Sequence, residues 1–311
     1  MKVWSINESI SILKPVATIG IFDGVHTGHR FILENLKDQA AKHGGESVVV
    51  TLWPHPRIVL NRDLQLFKLL HSREEKIREL GNTGIDHLVF VPFDKQIASL
   101  TACDFTRKYL VDILGVEVLL VGYDNRFGHD RKGDPDGLSR CADENAFRIE
   151  KLPEFNSELG RVSSTTIRNA VSTGDLEMAG RLLGYHYYLS GHIVEGNHVG
   201  RKIGFPTANI HPRDPNKLIP MNGVYAIRAE LKEKVLGGML NIGFRPTIDS
   251  AAAVKTIEAH LFGISGDFYG EQIVIHFVRR IRDEMKFQGL DELKSQLERD
   301  KTTISTLLSD I

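Results

Sequence analysis

Two histidines, His26 and His29, stand three residues apart in a stretch that suits the chemistry of anions. The apolar run from Val16 to Phe22 predicts a buried strand, Asp23-Gly24 ends it, and a helical pattern begins near Arg30. A strand, a glycine-bearing turn and a helix start present backbone N–H groups and the positive end of a helix to a phosphate. The two imidazoles share a face of the first helical turn, where they would stabilise an anion that gains charge as it reacts.

Zinc is the other chemical interpretation of this H-x-x-H pattern, which is common by itself. The pattern lacks the H-E-x-x-H of zinc peptidases, and no cysteine pair lies nearby to complete a structural site. Because the two histidines follow a predicted strand and open a predicted helix, we favour a phosphate over a metal ion.

The loop from Gly122 to Gly137 is rich in glycine, aspartate and basic residues, and two interpretations of it stay open. It is a solvated loop, or it follows the carboxyl end of a strand and binds a base and its phosphates. Asp124, Arg126 and Phe127 are the candidate ligands in the second case.

Hydroxyl side chains gather at the predicted start of another helix, in V-S-S-T-T-I-R from Val162 to Arg168. Ser164 or Thr165 is a candidate N-cap, which is a structural role. Hydroxyls, free backbone N–H groups and an arginine at a helix start also suit phosphates. The sequence favours neither role over the other.

A second dense motif, G-N-H-V-G-R-K-I-G-F-P-T-A-N-I, begins at residue 196. Its glycines Gly196, Gly200 and Gly204 let the backbone approach a ligand closely, although no G-K-[ST] closes the motif as in a Walker A sequence. Thr207 and Asn209 would lie on one side of an extended segment and offer two oxygen ligands to Mg²⁺. A glycine-rich hairpin without a ligand explains the motif equally well.

Glu258 is a carboxylate within the strand-like run K-T-I-E-A-H-L-F. The alternation of side chains along a strand predicts that it faces solvent. From the residues alone, this solvent-facing position is the favoured interpretation.

The composition indicates a globular protein of two domains. The chain has 311 residues, of which 41% are apolar and 25% charged, and a net charge of −1 gives no reason to expect nucleic acid or an anionic membrane as a partner. Two cysteines, Cys103 and Cys141, are too few for a disulfide scaffold and fit a reducing compartment. With no predicted signal peptide or membrane span, we expect a cytoplasmic protein.

The candidate residues depend on two kinds of element. Up to about residue 120 strand-like and helix-like segments alternate, which predicts a parallel sheet with helices on both faces and ligands beyond the carboxyl ends of the strands. From Tyr185 short strands recur between glycine-rich turns, which predicts an antiparallel sandwich or small barrel. A charged helix over 287–309 closes the chain, and the domain boundary is expected near residue 185.

A series of motifs runs in order along almost the whole chain. They are G-x-F-D-G-V-H-x-G-H at 20–29, T-L-W-P-H-P at 51–56, G-Y-D-N-R-F-G at 122–128, S-S-T-x-I-R at 163–168, V-G-R-K-I-G-F-P-T-A-N at 199–209, N-I-G-F-R-P-T at 241–247 and I-E-A-H-L-F at 257–262, with F-Y-G and R-D-E-M-K-F segments near 269 and 287. Together they resemble the prokaryotic bifunctional riboflavin kinase/FMN adenylyltransferase (FAD synthetase) family.

This resemblance implies a Rossmann-like α/β nucleotidyltransferase domain of the HxGH type at 1–184, and a small antiparallel β-barrel with a C-terminal helix at 185–311. The barrel would phosphorylate riboflavin to FMN with ATP. Its implied residues are Glu258 as base, Thr207 and Asn209 as Mg²⁺ ligands, Gly196, Gly200, Lys202 and Gly204 around the ATP phosphates, and Arg282 and Phe287 in the segment that closes over the flavin.

The N-terminal domain would transfer AMP from ATP to FMN, giving FAD and pyrophosphate. Because the attacking phosphate is already anionic, the reaction needs relief of charge and no general base. The implied residues are His26 and His29 with Phe22, Asp23, Gly24, Asp124, Phe127, Ser163, Ser164, Thr165 and Arg168.

Two positions depart from the family pattern: Trp53 stands where many members have an acidic residue, and Asn125 where an aromatic residue is usual. The expected partners are small molecules, namely ATP, riboflavin, FMN and FAD. The expected state is a monomer or weak homo-oligomer.

Overall fold

The computed structural model describes residues 1–60, 67–122, 127–196, 200, 203–245, 254–264 and 266–309, with the backbone alone at 245 and 254. By their contacts these residues form two compact units. The first comprises Met1–Lys68 and Arg73–Ser163, and the second comprises Leu69–Ser72 and Ser164–Ile311. None of the described helices combines the length and apolarity needed to cross a membrane.

The first unit is built on a six-stranded sheet in which every pairing is parallel, in the order β1-β4-β3-β2-β5-β6. This confirms the predicted Rossmann-like α/β fold. The strands are β1 (Lys2–Ser5), β2 (Val16–Ile19), β3 (Ser47–Trp53), β4 (His87–Pro92), β5 (Val118–Val121) and β6 (Arg148–Lys151). The helices are α1 (Thr27–His43), α2 (Pro56–Leu60), α3 (Arg73–Gly81), α4 (Lys95–Ala98), α5 (Ala102–Phe105), which continues into a π-helix at Thr106–Ile113, and α6 (Pro135–Asn145).

Alternating residues of the strands enter two hydrophobic clusters, one on each face of the sheet. Ala17 and Ile19 of β2 belong to one cluster, whereas Val16 of the same strand belongs to the other with Leu33 of α1. Side chains alternate between the faces of a strand, so a sheet covered by helices on both faces needs apolar residues in continuous runs. The burial of both sheet faces explains why the strand β2 lies in the continuous apolar run that begins at Val16.

In the first unit, the sequence patterns missed β1, β6, α2, α4 and α6. The predicted loop through Gly137 ends earlier, because Asp134 caps α6 by accepting a hydrogen bond from the Gly137 N–H at 2.8 Å and Pro135 takes the first helical position. The structure also joins Cys103 to Cys141 in a disulfide between α5 and α6, which was not expected from two cysteines in a chain of this composition.

The second unit contains a closed barrel in the order β10-β11-β8-β7-β12-β9, in which all neighbouring strands pair in antiparallel fashion through their described residues. This confirms the barrel of the two predicted alternatives. Its strands are β7 (Tyr188–Val194), β8 (Ala208–Pro212), β9 (Gly223–Leu231), β10 (Lys234–Arg245), β11 (Val254–Leu261) and β12 (Gln272–Arg282). Its helices are α7 (Ser164–Thr173), α8 (Leu176–Leu183) and α9 (Leu290–Ser309).

The C-terminal helix α9 packs on the outside of the barrel. Ile304 is fully buried in a cluster with Val224 of β9 and Met239 of β10, while Leu290 at the start of the helix is 53% exposed. The outer side of β9 and β10 is therefore partly covered by α9.

Four residues from the first half of the chain, Leu69–Ser72, belong to the second unit. The Leu69 N–H donates to the Asn216 carbonyl at 2.8 Å, and Leu69 accepts from the Leu218 N–H at the same distance. Between them, the buried Lys217 ammonium donates to the carbonyl of Leu70 at 2.5 Å. The helices α7 and α8 also belong to the second unit, whose longer segment therefore begins at Ser164 and not at the predicted domain boundary. The boundary between residues 184 and 185 stays a prediction.

Candidate functional site

The turn between β2 and α1 lies where the strand order of the first unit reverses. From β2 the chain continues to the neighbouring β3, and the strand on the other side of β2 is β5, which comes after β4. Parallel sheets bind ligands in the crevice that opens at such a reversal, beyond the carboxyl ends of the strands. The turn that carries His26 and His29 is therefore at the ligand-binding edge of this sheet.

His26 occupies the N-cap position of α1, with φ −67° and ψ 173°. Its Nδ1 accepts a hydrogen bond from the His29 N–H at 3.2 Å, which leaves the proton of the neutral ring on Nε2. The two rings are stacked with their centroids 3.6 Å apart and their planes at 14°. The structure thus brings the two predicted histidines together at a helix N-terminus.

The residues just before the histidines form a buried and strained turn. Phe22 and Asp23 are each only 2% exposed, and the Phe22 ring meets the His29 ring edge-on at 5.1 Å. Phe22 and Val25 adopt positive φ angles of 49° and 37°, which side chains other than glycine disfavour, and Gly24 between them has φ 90°. Such strain persists where the surroundings fix the backbone, as they do at many functional sites.

The motifs did not identify Lys76, a buried lysine that contacts the backbone directly before this turn. Lys76 of α3 is 1% exposed, and its ammonium donates to the Ile21 carbonyl at 2.7 Å, which also accepts from the Thr51 hydroxyl at 3.2 Å. Burial lowers the pKa of Lys76 to about 8, and the negative charge of Asp23 opposes part of this effect. The ammonium also lies 5.1 Å from the ring centre of Trp53, one of the two departures from the family pattern.

The sequence offered one indication of this lysine. The segment R-E-E-K-I-R-E-L-G has too few apolar residues to cover a helix face, yet Glu75, Lys76 and Glu79 are all buried in α3. A helix that has so few apolar residues must bury charged side chains when it packs against the rest of the protein. Buried charged side chains need hydrogen-bond or ion-pair partners.

The other predicted residues of the first site have mixed outcomes. Phe127 is part of the hydrophobic cluster on one sheet face, where its ring lies 5.9 Å from that of Phe105. Ser163 precedes α7, and Ser164, Thr165 and Arg168 occupy the first turns of that helix, which belongs to the second unit. Asp124 and Asn125 lie outside the described residues. The ligand roles of all of these residues stay predictions.

In the second unit, strand pairing sets three polar residues side by side. Glu258 of β11 is directly opposite Asn209 of β8 on one side and Asn241 of β10 on the other. Residues directly opposite one another in antiparallel strands project from the same face of the sheet. This face is the outer one, because Asn241 is in turn opposite Val224, which packs with α9. Glu258 is half-buried there.

The segment that carries Thr207 and Asn209 is fixed from two sides. The Nδ1–H of His260 donates to the Pro206 carbonyl at 2.8 Å, and burial lowers the pKa of His260, although this hydrogen bond opposes the effect. On the other side, a Cβ on Gly196 would lie 1.9 Å from the Asn209 amide nitrogen. A larger residue at 196 would therefore displace the Asn209 amide, which gives one glycine of the dense motif a structural reason.

Gly200 and Gly204, the remaining glycines of the motif, lie in the segment that precedes Thr207. Gly200 accepts from the Phe205 N–H at 2.9 Å, and a Cβ on it would lie 2.1 Å from the Phe205 carbonyl oxygen. Gly204 has φ 85°, which favours glycine. Lys202 lies outside the described residues.

A cavity of about 420 Å³ opens beside Thr207. Its walls are mainly apolar, with Thr207 and Asp267 among the polar residues at its edge. Pockets of this size with few polar groups are typical sites for small organic ligands. The lining residues are Ile193, Pro206, Thr207, Ala208, Ala259, Leu261, Ile264, Gly266, Asp267, Phe268 and Tyr269.

Arg282 and Phe287 flank the segment that was expected to close over a flavin. Arg282 ends β12, and its guanidinium binds both carboxylate oxygens of the buried Asp300 of α9, at 2.6 to 3.1 Å. Phe287 is half-buried in the segment between β12 and α9. In this structure Arg282 therefore joins the barrel to its C-terminal helix, and its contact with a ligand stays a prediction.

Comparison with known proteins finds the same two halves. The family model described as FAD synthetase matches residues 11–166, and the one described as riboflavin kinase matches 183–308. The bifunctional riboflavin kinase/FMN adenylyltransferase of Escherichia coli K12 is 40% identical over 93% of this chain and 91% of its own length. The protein of the same description from Bacillus subtilis 168 is 37% identical over 93% and 90%.

Among solved structures, a chain from Streptococcus pneumoniae described as a macrolide-efflux protein matches with a TM-score of 0.87 and 31% identity. The match covers 96% of each chain. The fold is thus shared over most of the chain with a solved structure.

Proposed function

Because the chain belongs to the family of bifunctional riboflavin kinases/FMN adenylyltransferases, we propose that it makes FMN from riboflavin and ATP and then FAD from FMN and ATP. We assign FMN formation to residues 185–311 and FAD formation to residues 1–184. The observation that most supports the first assignment is the pairing of Glu258 with Asn209 on the outer face of the barrel.

In the kinase reaction the nucleophile is the neutral 5′-hydroxyl of riboflavin, so a base must accept its proton as the oxygen attacks the γ-phosphorus and ADP leaves. We assign this role to Glu258, because it is the cross-strand neighbour of Asn209 on the outer face of the barrel, and Thr207 lies two residues before Asn209 in the chain. The family resemblance and the register thus favour the same residue.

The donor set of this region fits a magnesium ion. The hydroxyl of Thr207 and the amide oxygen of Asn209 are hard oxygen ligands, and the absence of a side chain at Gly196 leaves room for the Asn209 amide. Magnesium would supply neutralisation of phosphate charge. The protein residues hold the ion and the phosphates, and Glu258 takes the proton.

Replacing Thr207 with alanine should raise the Mg²⁺ concentration needed for half-maximal FMN formation. Loss of a partner of a metal ligand already costs about 10- to 100-fold in affinity or activity, and a direct ligand should cost at least as much. Titration of riboflavin phosphorylation with Mg²⁺ measures the change, and Thr302→Ala on the exposed face of α9 is the matched control. An unchanged Mg²⁺ requirement would remove Thr207 from the metal site.

In the adenylyltransferase reaction a phosphate oxygen of FMN attacks the α-phosphorus of ATP, and pyrophosphate leaves. The nucleophile is already anionic, so the protein must stabilise developing charge. His26 and His29 at the N-terminus of α1 supply hydrogen-bond donors together with the helix dipole. We assign further contacts with ATP or FMN to Phe22, Asp23, Gly24, Asp124, Phe127, Ser163, Ser164, Thr165 and Arg168.

Two rival functions are a nucleotide or flavin sensor without catalysis and an enzyme active in one half alone. Incubation with riboflavin, ATP and Mg²⁺, followed by separation of the flavins, distinguishes them. The bifunctional enzyme yields FMN and then FAD, whereas the sensor binds flavin without turnover. Absence of riboflavin turnover would contradict the kinase assignment, and FMN without FAD would contradict the adenylyltransferase assignment. We further propose a cytoplasmic monomer or weak homo-oligomer.

A further inference from the structure

We propose that α3 positions the adenylyltransferase site, with Lys76 and Glu79 holding the two flanks of the segment that carries His26 and His29. The inference rests on the proposed role of these histidines in FAD formation. Lys76 and Glu79 are three residues apart, so they project from the same face of α3.

Lys76 holds the flank that precedes the histidines. Its ammonium donates to the Ile21 carbonyl at 2.7 Å, directly before the turn in which Phe22 and Val25 adopt positive φ angles. The negative charge of the buried Asp23 acts on the same ammonium. A strained backbone needs contacts that fix it, and the hydrogen bond from Lys76 fixes the carbonyl directly before Phe22.

Glu79 holds the flank that follows the histidines. Its carboxylate, whose side chain is 7% exposed, accepts from the guanidinium of Arg30 at 2.9 Å. Arg30 is the residue directly after His29 in the first turn of α1. The same helix α3 thus contacts the chain on both sides of the stacked imidazoles.

The energetic balance of these contacts favours a positioning role. Burying an ammonium is costly, and replacing buried charged groups by apolar ones of similar volume is often neutral or stabilising. The burial of Lys76 and Glu79 on one face of α3 is therefore better explained by positioning of the histidine segment than by a gain in folding stability. Neither residue needs to touch ATP or FMN, so both act through the histidines.

The test compares Lys76→Met with Lys37→Met in the full chain. Lys37 of α1 also donates from its ammonium to a backbone carbonyl, that of Thr83 at 2.6 Å, in the later part of α1. We expect Lys76→Met to lower kcat for conversion of FMN to FAD by about 10- to 100-fold, the cost of a small misplacement of catalytic groups. KM values should change less, and Lys37→Met should leave kcat unchanged.

Two controls show that the first unit remains folded and the second active. Trp4 and Trp53 are the two tryptophans of the chain and both lie in the first unit, so their fluorescence during urea unfolding reports on that unit. Phosphorylation of riboflavin by the same samples reports on the barrel. Glu79→Gln changes the other flank and keeps the shape of the side chain, so it is a second test in case Lys76→Met does not fold. We expect it also to lower kcat for FAD formation.

A double-mutant cycle with His29→Ala decides whether α3 acts through the histidines. In the His29→Ala background, Lys76→Met should cost much less than in the wild type, because the group it positions is absent. An equal cost in both backgrounds would overturn the inference, as would wild-type kcat in both Lys76→Met and Glu79→Gln. If His29→Ala itself leaves FAD formation unchanged, the proposed function of the histidines fails instead.

Discussion

Replacing Glu258 with glutamine is expected to stop FMN formation and to leave conversion of supplied FMN to FAD intact. A positioned general base contributes about 10²- to 10⁴-fold, and glutamine keeps the shape of the side chain but accepts no proton at neutral pH. Separation of flavins after incubation with riboflavin and ATP measures the first activity, and incubation with FMN and ATP measures the second.

Glu230→Gln is the matched control for this substitution. Glu230 is also a carboxylate on a barrel strand, where it contacts His276 at 2.7 Å, but it lies outside the row formed by Asn209, Glu258 and Asn241. The control should phosphorylate riboflavin normally. Normal FMN formation by Glu258→Gln would show that another group accepts the proton.

Replacing His29 with alanine is expected to produce the reverse pattern. FMN should still form, whereas its conversion to FAD should fall by about 10²- to 10³-fold, which is typical for loss of one donor to a developing negative charge. His43→Ala is the matched control, because His43 lies in the last turn of the same helix, where it faces Glu150 at 3.4 Å.

The two substitutions together test the assignment of one reaction to each site. If Glu258→Gln and His29→Ala both abolished both activities while the protein remained folded, that assignment would be wrong. Folding is checked by tryptophan fluorescence for the first unit and by circular dichroism for the whole chain.

Local patterns predicted the elements around the histidines well. The run at Val16, the turn at Asp23-Gly24 and the helix after it follow from rules that act within a few residues. The structure adds what those rules do not contain: His26 is itself the N-cap, and its ring stacks on that of His29. These features depend on φ and ψ angles in a turn where Phe22, Gly24 and Val25 all adopt positive φ angles.

The barrel site shows where local patterns fail. Alternation alone predicted a solvent-facing Glu258, and the residue is in fact on the outer face, where it is half-buried. Its significance comes from Asn209 and Asn241 on neighbouring strands, and the register of strands distant in sequence is not encoded in any one of them. The prediction of a catalytic role for Glu258 came from the family resemblance and not from the alternation of side chains.

Long-range partners also explain why Lys76 and Glu79 were missed. The segment of α3, from Arg73 to Gly81, is short and rich in charged residues, and such residues on a short helix are usually solvated. Their burial follows from the approach of Ile21 and Arg30, which are more than 45 residues away along the chain. Only the folded sheet brings these groups together.

The position of Leu69–Ser72 limits the modularity of this protein. A fragment that starts at residue 164 or 185 would lack these four residues, and Lys217 and Tyr185 would lose their hydrogen bonds with the Leu70 carbonyl and the His71 ring. The second unit therefore includes a segment that precedes most of the first unit's helices and strands in the sequence. A single cut of the chain between the two units separates this segment from the residues of the second unit that it contacts.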